Sequence, residues 1–417
     1  MISGLSVPLV GLIDAGVVGR LSAPEALGGV ALGGWLFEMI CWSFGFLRMG
    51  TTGLVAQAKG KSDPLELSAT LARGLLTALG IGVCLSLCSP LLTGPALALL
   101  SGDSAEVNAS AGAYLSARLW GMTPALLNYV CLGWLLGLAR PRSALALQLL
   151  MNGLNASLSL WWGPMFGVGG VGGASAVAQW VTAGVGLSWV ITQTAPRVEW
   201  EHISERLRRS DAWRALAQLN VDLFIRTALL LGVFGAMNSG SARLGALTLS
   251  ANALLLHLQS AQAFALDGFA HGAEVLTGEA IGMSARARLR RVIKASAHLT
   301  ALTALLISAV YAVAHKPIFM LLTTHDEVVS LAIEVAPWVI FSPLISAPCF
   351  LLDGVMIGAT QASSMRRGMI TSAVIFALIA MIGVPLLGNH GLWLAFLCFM
   401  ATRALSLTPT LLRLYRG

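Results

Sequence analysis

The chain has 417 residues, of which 56% are hydrophobic and 11% are charged, and its formal net charge is +7 at pH 7. Soluble globular proteins carry about 25% charged residues, so this composition excludes an ordinary soluble domain. Many apolar runs reach the roughly 20 residues that span a bilayer, which predicts an all-α polytopic membrane protein.

Apolar runs separated by turn residues and charges predict about twelve transmembrane helices. The first six lie near residues 2–20, 28–56, 67–93, 109–138, 142–163 and 168–193, and the second six near 215–237, 244–279, 289–314, 328–359, 367–386 and 389–411. The longest polar stretch, Arg197–Arg214, separates the two sets. We therefore predict an N-terminal six-helix lobe at 1–196, a cytoplasmic linker at 197–214 and a C-terminal six-helix lobe at 215–417.

The distribution of Lys and Arg predicts the orientation of these helices. If Met1 begins inside, the cytoplasmic connections and the C-terminal tail carry eighteen Lys and Arg residues, whereas the outer connections carry only Arg20, Arg243 and Lys316. By the positive-inside rule both termini are predicted to be cytoplasmic. The positive charge then faces anionic lipid rather than nucleic acid.

The two halves also resemble each other in sequence. Ala26–Gly60 aligns without a gap on Thr248–Gly282, at an offset of 222 residues. A second block sets GWLLG (Gly133–Gly137) beside GVMIG (Gly354–Gly358), at an offset of 221. Two blocks at nearly the same offset indicate an internal duplication. Because each half has an even number of spans, the two repeats are predicted to have the same orientation in the membrane. Such parallel repeats enclose a cleft, and alternate opening of that cleft to the two sides is a transport mechanism.

One carboxylate, Asp14, lies in the otherwise apolar run Ser6–Gly19. An ionised carboxylate in hydrocarbon is costly unless it is paired, hydrated or protonated. At 1.5 Å per residue, Asp14 lies about 20 Å from the cytoplasmic start of the first helix, in the outer half of the membrane. A helix cap at the interface and a proton-binding site both fit this segment taken alone.

A few other ionisable residues lie within predicted spans. Asp222 and Arg226 stand at i, i+4, a spacing that favours a local ion pair. Glu38 lies between Trp35 and Trp42, where interfacial burial and a ligand-binding role are equally compatible with the sequence.

Asp267 and Glu274 are seven residues apart and share one helix face. A water-filled cavity would explain both, and so would packing against a basic partner such as Arg118. In the fifth span, Asn152 and Asn155 can serve as interhelical hydrogen-bonding residues or help to hold a proton or cation near Asp14.

No catalytic or metal-binding motif is present. The chain lacks a phosphate-binding GxxxxGK[ST] loop, an HExxH helix and a usable GxSxG elbow. The six cysteines lie in apolar runs without the histidine spacing of a zinc site. We therefore expect neither an enzyme nor a bound cofactor, and transport energy would come from an ion gradient.

Five segments together resemble the multidrug and toxic compound extrusion (MATE) family, and within it the DNA-damage-inducible (DinF-like) subgroup. They are VPLVGLIDAGVVGRL (Val7–Leu21), RMGTTGLVAQAKG (Arg48–Gly60), ARLGALTLSANALL (Ala242–Leu255), ALDGFAHGAEVLTGEAIG (Ala265–Gly282) and SPLISAPCFLLDGVMIGATQASSMR (Ser342–Arg366). The resemblance implies a twelve-helix antiporter with two six-helix lobes in a V shape.

The resemblance also implies roles for particular residues. Asp14 matches the proton-binding acid of the first helix, and Asn155 matches its partner on the fifth. Asp353 lies in the stretch where other branches of the family place an acid for cation coupling. Many members carry a second acid four positions beyond the asparagine, where this chain has Ser159. That departure puts a two-carboxylate network, and any sodium site built on it, in question.

The sequence therefore predicts a monomeric antiporter of the bacterial inner membrane. It would export cationic or amphipathic drugs or toxic metabolites in exchange for H⁺, or alternatively Na⁺. The residues predicted to couple the ion or bind substrate are Asp14, Asn155, Asn152, Asp267, Glu274, Asp353 and Glu38. A flippase for lipid-linked saccharides and a membrane-embedded transferase are the alternatives. The flippase would require a strongly basic cavity, and the transferase a catalytic cluster.

Overall fold

The computed structural model describes Asp14 and residues 16–19, 24–100, 104–194 and 200–416, and these residues form helices joined by short turns. The first helices are α1 (Pro24–Ser43), α2 (Phe46–Gly60), α3 (Pro64–Leu100), α4 (Ala105–Arg118), α5 (Met122–Gly137), α6 (Pro141–Thr194) and α7 (Trp200–Leu207). The later helices are α8 (Ser210–Arg243), α9 (Ala246–Gly282), α10 (Arg286–Leu322), α11 (Asp326–Gly358), α12 (Ala362–Leu387) and α13 (Asn389–Arg416). The predicted all-α class is confirmed.

Nine helical stretches in the described part of the chain are long and apolar enough to cross a membrane. One of them, Pro141–Gln193, has 53 residues and is long enough for two crossings. Helix α9 is not among the nine, and it carries several buried polar side chains, including Asn252, Gln259 and Gln262. Most of the first predicted span, residues 2–20, lies outside the described residues.

Two helices break inside predicted spans, and one break lies where it was predicted. The predicted span 28–56 consists of two helices, α1 and α2, which meet at Phe44 and Gly45. A single 3₁₀ turn, Leu119–Gly121, divides the predicted span 109–138. Within α6 the chain departs from helical geometry at Gly167, where φ is 61° and ψ is −147°, between the predicted fifth and sixth spans. Glycine reaches this conformation without the steric cost that a Cβ would bring.

The described residues form two compact units, which divide between Leu216 and Ala217. The predicted linker contains α7 and the start of α8. In the N-terminal unit, α7 lies against α3 through ion pairs, with Arg206 contacting Glu66 at 3.0 Å. In the C-terminal unit, the aromatic rings of Trp393, Phe396 and Phe399 pack in sequence along α13.

The ends of corresponding helices repeat the same hydrogen bonds in both units. The residues that close α2 and α9 are Ser62 and Ser284, with φ of 54° and 53°, and those that close α5 and α11 are Ala139 and Thr360, with φ of 59° and 54°. Each of the four donates its backbone N–H to the carbonyl three residues earlier, and the next residue donates to the carbonyl five residues earlier. Such a cap normally uses glycine, so its recurrence at offsets of 222 and 221 residues supports the internal duplication.

The two GxxxG blocks found in the sequence occupy equivalent helix crossings. Gly133 and Gly137 of α5 face the carbonyl oxygens of Arg48 and Thr52 on α2. In the C-terminal unit, Gly354 and Gly358 of α11 press against the carbonyl oxygens of Ala270 and Glu274 on α9. Small residues allow helices to approach this closely in a membrane. The duplicated sequence blocks therefore encode one duplicated helix-packing contact.

Replacing Gly137 with Ala is expected to destabilise the N-terminal unit. A Cβ at this position would lie 2.7 Å from Val55 Cβ and 2.8 Å from Thr52 O. Overpacking of this kind costs about 1–3 kcal/mol. The matched control is Gly80→Ala, since a Cβ at Gly80 meets nothing within 4 Å. Thermal unfolding in detergent should show a lower midpoint for Gly137→Ala only. Equal midpoints would mean that the α2–α5 crossing is looser than described.

Replacing Ala139 with Gly is expected to stabilise the protein by up to about 1 kcal/mol. The left-handed conformation at φ 59° costs a residue with a Cβ about 1–2 kcal/mol, and this outweighs the extra chain entropy of glycine. The same substitution at Ala146, an exposed position within α6, should destabilise by about 1 kcal/mol. Unfolding midpoints that shift in the same direction for both variants would contradict this account.

Candidate functional site

The N-terminal unit brings together polar side chains from three parts of the chain around Asp14. Tyr114 and Arg118 lie on α4, four residues apart and hence on one helix face. Asn155 and Ser159 lie on the first part of α6, also four residues apart. Ser175 follows the interruption of α6 at Gly167.

Asp14 is 0% exposed, and both of its carboxylate oxygens accept hydrogen bonds. Oδ1 accepts from Asn155 Nδ2 and from Ser159 Oγ, each at 3.1 Å. Oδ2 accepts from Tyr114 Oη at 2.7 Å and from Ser175 Oγ at 2.9 Å. Asn155 Nδ2 also donates to Ser175 Oγ at 2.7 Å, which links the donors to one another.

Arg118 adds a positive charge to this cluster. Its Nη1 lies 3.5 Å from Asp14 Oδ2, and the side chain is almost fully buried. The guanidinium carbon lies 4.4 Å from the centroid of the Phe37 ring and 5.7 Å from that of Tyr114. A guanidinium over an aromatic face is an attractive arrangement. The cluster therefore contains one buried anion and one buried cation.

The structure places Asn155 in contact with Asp14, and the role that the family resemblance implied for this pair stays a prediction. At Ser159, the residue that stands in place of an acid, a hydroxyl donates to Asp14, so a neutral donor occupies the position of the second carboxylate. Asn152 is buried one turn earlier on the same helix. Glu38 is exposed on α1.

The C-terminal unit contains a buried cluster with a different charge balance. Asp353 Oδ2 accepts from Arg403 Nη2 at 2.6 Å and makes an ion pair with Arg226 Nη2 as well. All three residues are at least nine-tenths buried. Two guanidinium groups thus contact the same oxygen of Asp353, the residue for which the family resemblance implied a role in cation coupling.

The prediction of a local ion pair between Asp222 and Arg226 is wrong. Asp222 Oδ1 instead accepts from Arg366 Nη1 on α12 at 2.6 Å, and Arg226 contacts Asp353 on α11. The i, i+4 spacing permits a pair on one helix, but each of the two residues contacts a charged partner on a neighbouring helix instead.

The other predicted site residues of the C-terminal unit lie on α9. Glu274 is buried, and its carbonyl is the one against which Gly358 packs. Asp267 is partly buried and acts electrostatically on Arg403. Arg118, which the sequence offered as a basic partner for these two acids, lies instead beside Asp14 in the N-terminal unit.

Sequence reasoning missed three members of the Asp14 cluster. Tyr114 and Ser175 are uncharged, and nothing in their neighbourhoods distinguishes them from other polar residues in apolar helices. Arg118 was identified as an intramembrane charge but was given a different partner. A search for an i, i+4 pair of hydrogen-bond donors in a predicted span would have found Tyr114 with Arg118.

The donors around Asp14 are arranged so that they can stabilise a carboxylate. The amide of Asn155 and the guanidinium of Arg118 contact it through nitrogen donors, which cannot accept a proton from it. Hydroxyl groups can either donate or accept, so Ser159, Ser175 and Tyr114 can turn to receive the O–H of a protonated Asp14. No group of three or more His, Cys, Asp or Glu side chains that could hold a metal ion occurs among the described residues.

The sequence and the fold are similar to those of known proteins. The MatE family model matches residues 1–161 and 223–386. The chain is 38% identical over 421 residues to the DNA damage-inducible protein F of Escherichia coli (strain K12), which covers 100% of this chain and 90% of that protein. It is 26% identical over 439 residues to the probable multidrug resistance protein NorM of Agrobacterium fabrum, which covers 97% of this chain and 91% of the relative.

A solved structure extends the similarity to three dimensions. A crystal structure of MATE in the bent conformation superposes with a TM-score of 0.89 at 18% identity, and the match covers 99% of this chain and 93% of that chain. The predicted MATE fold is therefore confirmed over nearly the whole length.

Proposed function

Since the chain belongs to the MatE family of transporters, we propose that it exports cationic or amphipathic drugs or toxic metabolites in exchange for protons, with Asp14 as the proton-binding residue. It is a multi-pass membrane transporter and not an enzyme, so the transferase alternative is set aside. The proposal concerns the coupling ion, the class of substrate and the residues that connect them.

The observation that carries the proposal is the burial of Asp14 among donors from separate helices. Because the carboxylate is fully buried, the side chains of α4 and α6 are what stabilise its charge among the described residues. Uptake of a proton would force these side chains to reorient, and this would move the helices that carry them. A buried carboxylate that changes protonation is thus a direct means of coupling transport to a proton gradient.

The contacts around Asp14 and Asp353 favour H⁺ over Na⁺ as the coupling ion. A sodium ion requires several oxygen ligands, whereas nitrogen donors contact each oxygen of Asp14. Asp353 already contacts Arg226 and Arg403. Asp267, Glu274, Asn152 and Glu38 remain proposed contributors to substrate binding.

We also propose a location in the bacterial inner membrane, a monomeric state and cytoplasmic termini. The asymmetric distribution of Lys and Arg supports this orientation by the positive-inside rule. Labelling of single cysteines placed in α7 and near Arg413 should occur from the cytoplasmic side alone.

The experiment that tests the function is export from proteoliposomes under an imposed ion gradient. Purified protein would be assayed with ethidium, tetraphenylphosphonium and norfloxacin, with either a pH gradient or a Na⁺ gradient across the same vesicles. We expect the pH gradient alone to drive export of at least one of the three, and a protonophore to stop it. Export driven only by Na⁺, or movement of lipid-linked saccharide with no export of cations, would overturn the proposal.

A further inference from the structure

Among the described residues that donate to Asp14, Arg118 is the one with a charged side chain, and its contact with the carboxylate is incomplete. A single nitrogen, Nη1, approaches the carboxylate, at 3.5 Å, whereas Tyr114 and Ser175 lie within 3 Å of the same oxygen. The Nε of Arg118 is buried and makes no hydrogen bond to any of the described residues. Asp14 would therefore keep four neutral donors if Arg118 moved away.

Protonation of Asp14 would leave Arg118 without its counter-charge. The guanidinium is buried against Phe37, and a buried cation without an anion is strongly unfavourable. The charge must then be compensated by another anion within reach. Glu38 follows Phe37 directly on α1, and it acts electrostatically on both Arg118 and Asp14.

The other ionisable groups near Arg118 cannot take this role. Tyr114 is a hydrogen-bond donor to Asp14, and Cys41 is a buried thiol whose Sγ lies 3.8 Å from Met122 Sδ. Tyr129 on α5 and Arg48 on α2 act on the same region, one as a neutral phenol and the other as a second cation. The α6 side chains that face Asp14, namely Asn155, Ser159 and Ser175, carry no charge. Within the described part of the chain, Glu38 is the remaining carboxylate that acts on Arg118.

We propose that Arg118 is a positioning residue that changes partner from Asp14 to Glu38 when Asp14 takes up a proton. The proposal rests on the proposed proton-coupled function and deepens it. In the ionised state Arg118 neutralises Asp14 and opposes its protonation. In the protonated state Arg118 pairs with Glu38, at the exposed surface of α1, and shifts positive charge to where a cationic substrate would otherwise bind. Uptake of a proton thereby disfavours the bound cation.

The test compares the pH profiles of Arg118 and Glu38 variants. Exchange of the cation that the wild type exports best, among ethidium, tetraphenylphosphonium and norfloxacin, would be measured at equal pH inside and outside the vesicles. Arg118→Gln removes the positive charge that opposes protonation of Asp14. The pH profile of cation exchange by this variant should therefore move toward alkaline pH by about one unit or more. Glu38→Gln removes the alternative partner, so its profile should move toward acid pH.

Two further variants separate the exchange of partners from simple electrostatics. In the Arg118→Gln background, Glu38→Gln should shift the profile by less than half of its shift in the wild type, because no guanidinium remains to be transferred. Arg118→Lys retains the charge and should restore most of the wild-type profile. The matched control is Arg73→Gln, which removes another buried arginine of the same unit, paired with Glu66 at 2.9 Å, and should leave the profile unchanged.

The outcomes distinguish failure of this inference from failure of the proposed function. If the wild type shows no proton-driven export, the function itself is wrong. If export is normal but Arg118→Gln and Glu38→Gln leave the profile in place, or move it in the same direction, the exchange of partners is wrong. Should Arg118→Gln fail to fold, two results still decide the matter: an acid shift of Glu38→Gln relative to the wild type with a near wild-type profile in Arg118→Lys supports the exchange of partners, and the absence of a shift in Glu38→Gln overturns it.

Discussion

Replacing Asp14 with Asn is expected to reduce proton-driven export to the rate of protein-free liposomes. Asparagine has nearly the same shape but cannot release or bind a proton in the working pH range. The proposed reorientation of Ser159, Ser175 and Tyr114 then has no trigger. Export down a pH gradient and exchange at equal pH should be measured together, because both require the proton to come and go.

The same substitution has a cost in stability that must be separated from loss of function. It removes the carboxylate that Arg118 contacts, which typically costs about 3–5 kcal/mol for a buried ion pair, and pairing of Arg118 with Glu38 would recover part of that cost. Combining Asp14→Asn with Arg118→Gln removes both charges. The double variant should recover most of the unfolding midpoint lost by the single variant, yet it should remain inactive.

Two results with these variants would contradict the assignment of Asp14 as the proton-binding residue. Recovery of proton-driven export in the double variant would mean that the proton binds elsewhere and that Asp14 only balances Arg118. Full activity of Asp14→Asn would have the same meaning. Ser159→Ala provides a milder control, since it removes one donor to Oδ1 while Asn155 continues to donate to that atom.

The sequence predicted the components of the fold better than their breaks. Composition and apolar runs sufficed for the helical class because membrane spans need long uninterrupted apolar segments. The two GxxxG blocks also predicted that Gly133–Gly137 and Gly354–Gly358 have equivalent positions in the two halves. In the structure each block lies where two helices cross, in its own unit. The turns at Gly45 and at Leu119–Gly121 carry no charge or proline, so nothing in the sequence distinguished them from continuous helix.

The candidate site was predictable only in part, because partners in a helical bundle come from distant segments. Asp14 stood out as a lone carboxylate in an apolar run, and the resemblance added Asn155. Spacing along one helix could not reveal that Arg118 belongs with Asp14. For the same reason the i, i+4 rule gave the wrong partner for Asp222, since Arg366 is 144 residues away in sequence.

A second large effect, on stability, is expected at Asp353, where one carboxylate balances two buried guanidinium groups. Replacing Asp353 with Asn would remove the one carboxylate that Arg226 and Arg403 contact among the described residues. Loss of the shared anion is expected to cost about 3–5 kcal/mol. For a unit of about 200 residues this corresponds to a fall of roughly 10 °C in the unfolding midpoint.

A second ion pair of the same unit supplies the matched control. Asp222 contacts Arg366 at 2.6 Å, the same distance that separates Asp353 from Arg403. The Arg366 side chain is 32% exposed, however, whereas that of Arg403 is 4% exposed. Water can therefore solvate Arg366 after Asp222→Asn, and the loss of stability should be much smaller. Equal losses at both positions would mean that burial does not govern the strength of these pairs.

The role of the Asp353 cluster can be decided by removing all of its charges. In the triple variant Asp353→Leu, Arg226→Met and Arg403→Met, apolar side chains of similar length replace the buried ions. Such replacements are often neutral or stabilising, because no charge has to be desolvated. If the cluster is structural, the triple variant should fold and retain proton-driven export. If Asp353 couples a cation, the triple variant should fold but lose its response to Na⁺, and Asp353→Asn should lose that response without the large fall in stability.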